Sequence, residues 1–379
     1  MNWGQALCLS LGLVWGLALL LLPLRGPRLK ASGGELREGL SVIVPVRDEE
    51  ARLRLLLPAL LAEGGDGLEV IVVDDGSSDS SYSVALEWQA KDSRIRAISA
   101  GPLPPGWVGK AWACHRGASL ARGRWLLFLD ADVGLKPGIL RAALQHAAQR
   151  GLDALSLRPA LRVEGVWGRL VYCVLGFLIR ALYPPSLLNR AHSRRGLFFG
   201  SFLLTRAEAY RRVGGHESVR GELVEDYALG QAYKRLGLRT ELLRGEGWLE
   251  SRASLSLAEA CEMVRRIASA PLDGRRGLAL AFSSLLLFLT WAPWALLIAV
   301  LFTPLGPIAL APPLLLWLNF WPELREMRLS ALYLLGIPLG AAVISYAVFT
   351  MSVWYGKRAL RWRGRTYGPK AISPAGRDG

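Results

Sequence analysis

Apolar residues fall into two kinds of run along this chain, and the difference between them divides it. Between residues 36 and 160, short apolar runs alternate with amphipathic stretches. Leu40–Val46 (LSVIVPV), Leu68–Val73 (LEVIVV), Ile95–Ser99 and Trp125–Leu129 (WLLFL) are of strand length, and the most continuous of them predict strands buried on both faces. Glu49 to Ala62 sets Leu53, Leu56, Leu57, Leu60 and Leu61 on one side of a helix, and Ser83–Lys91 and Ala111–Ala121 predict two more. Strand and helix alternating at this spacing predict an α/β fold, with a mostly parallel sheet carrying helices on both faces.

The second kind of run is longer. Leu7–Leu22 is almost uncharged, and Gln5 to Leu24 meets the ~20 residues a spanning helix needs. A cleaved signal peptide is the alternative, but no basic region precedes the run and no small-residue cleavage pattern follows it. A retained N-terminal transmembrane helix is therefore expected. Leu278–Leu301 and Leu329–Tyr355 are also long enough to span, as C-terminal transmembrane helices. Leu305–Trp321 lies between them with Pro307, Pro312 and Pro313 inside it, which predicts a re-entrant or interfacial segment rather than a regular spanning helix. Val166–Tyr183 (VWGRLVYCVLGFLIRALY) carries Arg169 and Arg180 and reads as too polar to span. It predicts a helix lying in the interface or forming a hydrophobic wall, with a buried core helix as the alternative.

Charge then orients the chain. Arg25, Arg28 and Lys30 follow the first run, and the tail KRALRWRGRTYGPK (357–370) is basic, so the middle of the chain and its C-terminus are expected in the cytoplasm of a multi-pass protein of the cell membrane. The expected organisation is an anchor at 1–30, two halves of a catalytic unit at 36–160 and 161–270, membrane segments at 271–356 and a basic tail at 357–379. The net charge of +15 comes mostly from scattered arginines, without zinc-finger spacing or an aromatic-basic RNA motif. Contact with an anionic leaflet is the expected partner of that charge, and nucleic acid is not. Cys8, Cys114, Cys173 and Cys261 form no C-x-x-C, which excludes a cysteine zinc site and gives no disulfide framework.

Chemistry enters at the strand ends. In sheets of this kind, ligands bind beyond the carboxyl ends of the strands. Three such ends carry Pro45 to Glu49, Asp74 to Ser77, and Asp130 to Asp132. Residues i and i+2 of an extended chain point the same way, so Asp130 and Asp132 project together and repel unless a cation or donor lies between them. One acidic strand end is a capped turn; three on one rim predict a site. No G-x-G-x-x-G follows the first strand, and no G-x-x-x-x-G-K-[ST] occurs, so neither a dinucleotide fingerprint nor a P-loop is present. Carboxylates facing a nucleotide diphosphate need a divalent cation between them, and hard oxygen ligands suit Mg²⁺ or Mn²⁺.

The ordered set SVIVPVRDEE, VIVVDDGSSD, GWVGKAWACHRGA, LLFLDADV and GGHESVRGELVEDYAL resembles the successive motifs of family 2 glycosyltransferases with the GT-A fold, over roughly residues 40 to 240. PPGWVGKAWA before the D-x-D, the membrane segments on both sides and the closing W-R-G-R-T-Y resemble the membrane enzymes that glucosylate hydroxylated carotenoids of the hydroxychlorobactene type. The resemblance implies that Pro45 and Glu49 lie along the nucleoside, and that Asp75 hydrogen-bonds the base with Asp74 beside it. It implies Lys110 near the nucleotide, Asp130 on the ribose or sugar side, and Asp132 as metal ligand at the diphosphate. Asp74 as a turn cap and Lys110 as a solvated loop lysine are the plainer alternatives. His115 stands where the family often has Asn and is given no role.

The E-D pair at Glu225–Asp226 opens a helical pattern, where an acid is ordinarily a cap or a dipole partner. By resemblance, Asp226 is the general base. The implied activity is inverting, metal-dependent transfer of one sugar, glucose from UDP-glucose, to a hydroxyl of a membrane lipid such as a hydroxylated carotenoid. The Q-x-x-R-W motif of processive members is absent; the corresponding region reads CEMVRRIASAP, with Arg265 and Arg266 facing either the diphosphate or the membrane. Two other readings stay open. In a polyprenyl-phosphate glycosyltransferase the acceptor is already ionised, so loss of Asp226 matters less. A non-catalytic nucleotide-binding membrane scaffold would show no metal-dependent release of nucleotide.

Overall fold

The computed structural model describes residues 3–22, 26–31, 39–65, 67–272, 275–299, 302, 305–354, 360–362 and 365–367. Arg25 and most of the basic tail lie outside the described residues. Packing divides the chain into two compact units. One draws on residues 27–160, 185–252 and 359–379, the other on 1–26, 161–184 and 253–358. This grouping takes the helix after residue 165 out of the α/β unit and brings the C-terminal strands into it.

The chain opens with α1 (Trp3–Leu21) and then enters the α/β unit: β1 (Leu40–Val46), α2 (Glu50–Glu63), β2 (Leu68–Asp74), α3 (Ser81–Lys91), β3 (Ile95–Ser99), α4 (Gly109–Leu120), β4 (Trp125–Leu129), β5 (Val133–Leu135), α5 (Ile139–Gln149) and β6 (Ala154–Arg158), with β7 (Ala160–Glu164) leading out of it. After α6 (Val166–Leu182), the unit resumes with α7 (Pro185–Leu188), β8 (Phe202–Arg206), α8 (Ala207–Arg212), α9 (Glu225–Arg235), β9 (Thr240–Arg244) and β10 (Leu249–Ser254).

Seven strands form one sheet in the order β3-β2-β1-β4-β8-β6-β9. β1 runs parallel to β2 from Leu40↔Leu68 to Val46↔Asp74, and parallel to β4 from Leu40↔Trp125 to Ile43↔Phe128. Only β8 runs against its neighbours β4 and β6. The parallel register brings the carboxyl ends of β1, β2 and β4 to one edge, as the sequence predicts. Alternating residues feed two cores. Val42, Val44, Val70 and Val72 pack with Leu53, Leu57 and Leu60 of α2 on one face. Ile43, Ile71, Val73 and Phe128 pack with Cys114 of α4 and with Leu229 and Tyr233 of α9 on the other. α4 comes so close that a Cβ on Gly117 would collide with Ile43 Cγ2 and lie 3.0 Å from Val73 Cγ2.

The other unit holds α1, α6, α10 (Leu257–Leu272), α11 (Arg276–Ala299), α12 (Ala311–Met327) and α13 (Ile337–Trp354). Among the described residues, four helical stretches are long and apolar enough to cross a membrane: Trp3–Leu21, Val166–Leu188, Arg276–Ala299 and Ala331–Val353. Residues 311–327 form a regular helix with Pro312 and Pro313 in its first turn, where an N–H has no helical partner to lose, and this helix is not among those four. One sequence expectation changes. The stretch from Val166 is also long and apolar enough to span, contrary to the reading of its arginines as too polar. Both arginines find partners inside the unit. Arg180 Nε donates to Glu323 Oε1 at 2.8 Å and its Nη2 to the Asn319 carbonyl, while Arg169 Nε and Nη1 donate to the Val163 carbonyl and the Tyr333 hydroxyl. Arg265 Nε donates to Thr350 Oγ1 at 3.2 Å, on α13. All four cysteines are buried and free.

Candidate active site

β4 ends at Leu129, and the next three residues turn the chain into β5 with Ala131 buried beneath it. Asp130 and Asp132 flank that alanine. Lys110, in the first turn of α4, reaches Asp130 Oδ1 at 2.8 Å and Glu225 Oε1 at 2.9 Å. One ammonium thus ties the acid after β4 to the acid that opens α9. Burial works against its charge, but Asp130, Glu225 and Asp226 outweigh that and hold the lysine well above its ordinary pKa. Lys110 is therefore a fixed cation at any physiological pH and not a solvated loop lysine.

Asp226 sits beside this pair. Gly200 N–H donates to its Oδ2 at 2.7 Å and Tyr227 N–H to its Oδ1 at 2.8 Å. Burial raises its pKa, the neighbouring Glu225 raises it further, and Lys110 with the two N–H groups only partly offsets them, leaving it at about 6. A carboxylate there is ionised at neutral pH yet basic enough to take a proton. Gly200 makes the arrangement possible: a Cβ at that position would lie 2.7 Å from Lys110 Nζ and 3.3 Å from Asp226 Oδ2. Pro45, Lys110, Asp130, Gly200 and Asp226 line one cavity.

Asp132 faces a second group. Burial raises its pKa, and the charges of Asp130 and Glu49 raise it further against Arg52 and Lys110. Glu49, itself buried, accepts from Arg52 Nη1 at 2.8 Å, and its N–H donates to Ser81 Oγ. Among the described residues no three His, Cys, Asp or Glu side chains are arranged to hold a metal ion. A divalent cation at Asp132 would complete its shell from diphosphate oxygens and water, which is how Mg²⁺ and Mn²⁺ commonly bind substrate phosphates.

The two aspartates after β2 separate in role. Asp74 accepts from the N–H groups of Gly76 and Ser77 at 3.1 and 3.3 Å, the contacts of a turn cap. Asp75, 7% exposed, lies between two arginines: Arg365 Nη1 reaches its Oδ2 at 2.6 Å, and Arg47 Nη1 donates to its carbonyl at 2.7 Å. His115 packs against Trp107 and Trp112. Sequence reasoning missed Glu225, Gly200, Arg47 and Arg365. Glu225 had a signal, its adjacency to Asp226; Arg365 stands in the W-R-G-R-T-Y motif, which nothing in the sequence ties to the strand ends.

With the geometry in hand, similarity to other proteins can be placed on it. A sequence profile described as "Glycosyl transferase family 2" matches residues 41–212. Over those residues the chain is similar to family 2 glycosyltransferases. A protein of Staphylococcus haemolyticus (strain JCSC1435) named 4,4'-diaponeurosporenoate glycosyltransferase is 30% identical over 225 residues, which is 59% of each chain. The protein of that name from Staphylococcus aureus (strain USA300) is 28% identical over 210 residues, 55% of this chain and 54% of its own. The matched region therefore spans little more than half the length of these relatives. The mannosyltransferase of Pyrobaculum calidifontis, solved with GDP-Man and Mn²⁺, superposes with a TM-score of 0.52 over 93% of this chain and 98% of its own at 16% identity. At that identity the likeness establishes the fold, and the GT-A architecture expected from the motifs is present.

Proposed function

We propose that this glycosyltransferase moves one sugar from a nucleotide-sugar donor, UDP-glucose, to a hydroxyl of a membrane lipid, a hydroxylated carotenoid. The observation that carries the reading is Asp226, poised at about 6 and held by two N–H groups beside the Lys110 bridge. Asp226 takes the proton of the acceptor hydroxyl as its oxygen attacks the anomeric carbon. The bond to the nucleoside diphosphate breaks on the opposite face, its electrons leave with the diphosphate, and configuration inverts. Pro45, Glu49 and Asp75 hold the nucleoside, Asp130 with Lys110 the ribose or sugar side. Asp132 would hold Mg²⁺ or Mn²⁺, which when bound supplies counter-charge for the leaving diphosphate.

The carotenoid acceptor draws support from the names of the staphylococcal relatives, and the nucleotide-sugar and metal from the ligands of the Pyrobaculum structure. The membrane setting draws support from helices long enough to span in the same chain, and the cytoplasmic side is assigned to the catalytic unit from the basic residues that follow the first of them. The test is lipid mass spectrometry in a host making hydroxylated carotenoids. The expected result is a pigment heavier by one hexose with the native protein, absent with Asp226→Asn and absent from membranes assayed in a chelator. A hexose on another lipid would keep the transferase and remove the carotenoid; hexosylation that survives Asp226→Asn would favour an acceptor already ionised, such as a polyprenyl phosphate.

A further inference from the structure

Asp75 has an unusual balance of partners. Its Oδ2 is held by Arg365 Nη1 at 2.6 Å, and Arg365 Nη2 also donates to the Asp75 carbonyl at 3.1 Å. Its Oδ1 is buried without a hydrogen-bond partner among the described residues. A buried acceptor without a hydrogen bond is costly, by about 1–3 kcal/mol, and a donor brought to it would recover that cost. Both nitrogens of the guanidinium fork act on one residue, Nη1 on the carboxylate and Nη2 on the carbonyl, which engages Oδ2 and leaves Oδ1 to offer.

Arg365 reaches this position from far along the chain. It begins β12 (Arg365–Tyr367), which pairs antiparallel with β11 (Leu360–Trp362), Trp362 opposite Arg365. Glycine at position 109 keeps the way clear. A Cβ on Gly109 would collide with both Arg365 Nη1 and Asp75 Oδ2, and one on Gly76 would lie 3.9 Å from Arg365 Nη2 and 3.8 Å from Arg47 Nη1. Gly76 ends the turn after β2, and Gly109 immediately precedes Lys110, so the guanidinium passes between the two loops that flank the donor site.

We infer that Arg365 is a positioning residue of the nucleotide site, fixing Asp75 so that its Oδ1 accepts the N–H on the Watson–Crick edge of the donor's base. This rests on the nucleotide-sugar reading above. It makes the C-terminal strands part of the donor site, and it assigns base recognition to a pair of residues rather than to Asp75 alone. A guanidinium only neutralising a buried acid would have no reason to leave one oxygen empty while bonding the backbone of the same residue.

The experiment is calorimetric binding to the full-length protein in micelles with Mn²⁺, using UDP, GDP and inorganic pyrophosphate. With whichever nucleotide the native protein binds, Arg365→Ala is expected to weaken binding about ten- to a hundredfold, with Arg365→Lys recovering part of the loss. Pyrophosphate, which has no base, should bind the native protein and Arg365→Ala alike. In an Asp75→Ala background, Arg365→Ala should cost nothing further, and in turnover the donor KM should rise with kcat nearly unchanged. Unchanged binding would overturn the inference, as would tighter binding, which would mean that Arg365 occupies the base's place. An equal loss for pyrophosphate, or losses that add in the double variant, would also overturn it. Failure of the native protein to bind either nucleotide would instead remove the donor reading, and this inference with it.

Discussion

Lowering the pH should silence the proposed transfer reaction well above the range where ordinary carboxylates protonate. Asp226 lies at about 6 against an ordinary 3.8 because it is buried and faces Glu225. Only the ionised form can take a proton, so activity should rise with pH through about 6. From a single titration, about nine-tenths of the sites are active at pH 7 and about one-tenth at pH 5, a roughly tenfold fall in rate. A carboxylate at 3.8 would lose less than about a tenth of its activity over that interval. The same displacement acts on folding with opposite sense. The folded state holds this proton more tightly than the unfolded chain, so the group's contribution is full below 3.8 and is lost as pH rises through 6. The difference corresponds to about 3 kcal/mol, as an order of magnitude. The assay is kcat against pH at saturating donor and metal, for the native protein and Lys110→Gln. Removing the lysine takes away the charge that lowers Asp226, so the acid limb should move to higher pH. A limb centred near 4, or one that ignores Lys110→Gln, would refute the account of Asp226 as a base tuned by its neighbours.

Three further outcomes follow from the packing. Gly200→Ala should push Lys110 from its two acids and lower kcat at least tenfold, with little change in melting temperature because the displaced group is the end of a flexible side chain; thermal melts and turnover measured together check this. Glu323→Ala should destabilise the detergent-solubilised protein by about 3–5 kcal/mol by leaving Arg180 buried and unpaired, whereas Arg180→Met with Glu323→Leu should recover most of the loss, read as melting temperatures. Gly117→Ala should cost about 1–3 kcal/mol, because α4 must lift from Ile43 and Val73, and chemical unfolding of the solubilised protein would show it.

The early strands and the acidic rim were legible because the signals are local. Unbroken apolar runs gave β1, β2 and β4, and the parity of Asp130 and Asp132 follows from an extended backbone. Helix α12 forms with its prolines in place because their effect depends on position in the helix, and Pro312 and Pro313 stand where they do least harm. Arg169 and Arg180 were misjudged because polarity was counted without partners, and those partners lie on segments far along the chain: Arg180 finds Glu323, 143 residues on. Arg365 and Asp75 are 290 residues apart, and no periodicity or spacing could join them. What stays hidden in a sequence is charge compensated at long range.

The burial of Cys8, Cys114, Cys173 and Cys261 has a practical consequence. The native chain is already a nearly silent background for thiol labelling. A single cysteine in place of Leu55, 77% exposed on α2, or of Phe302, 81% exposed after α11, should react alone with an impermeant maleimide. Intact and opened cells would then report which side of the bilayer each position faces, without first stripping four natural thiols from the interior.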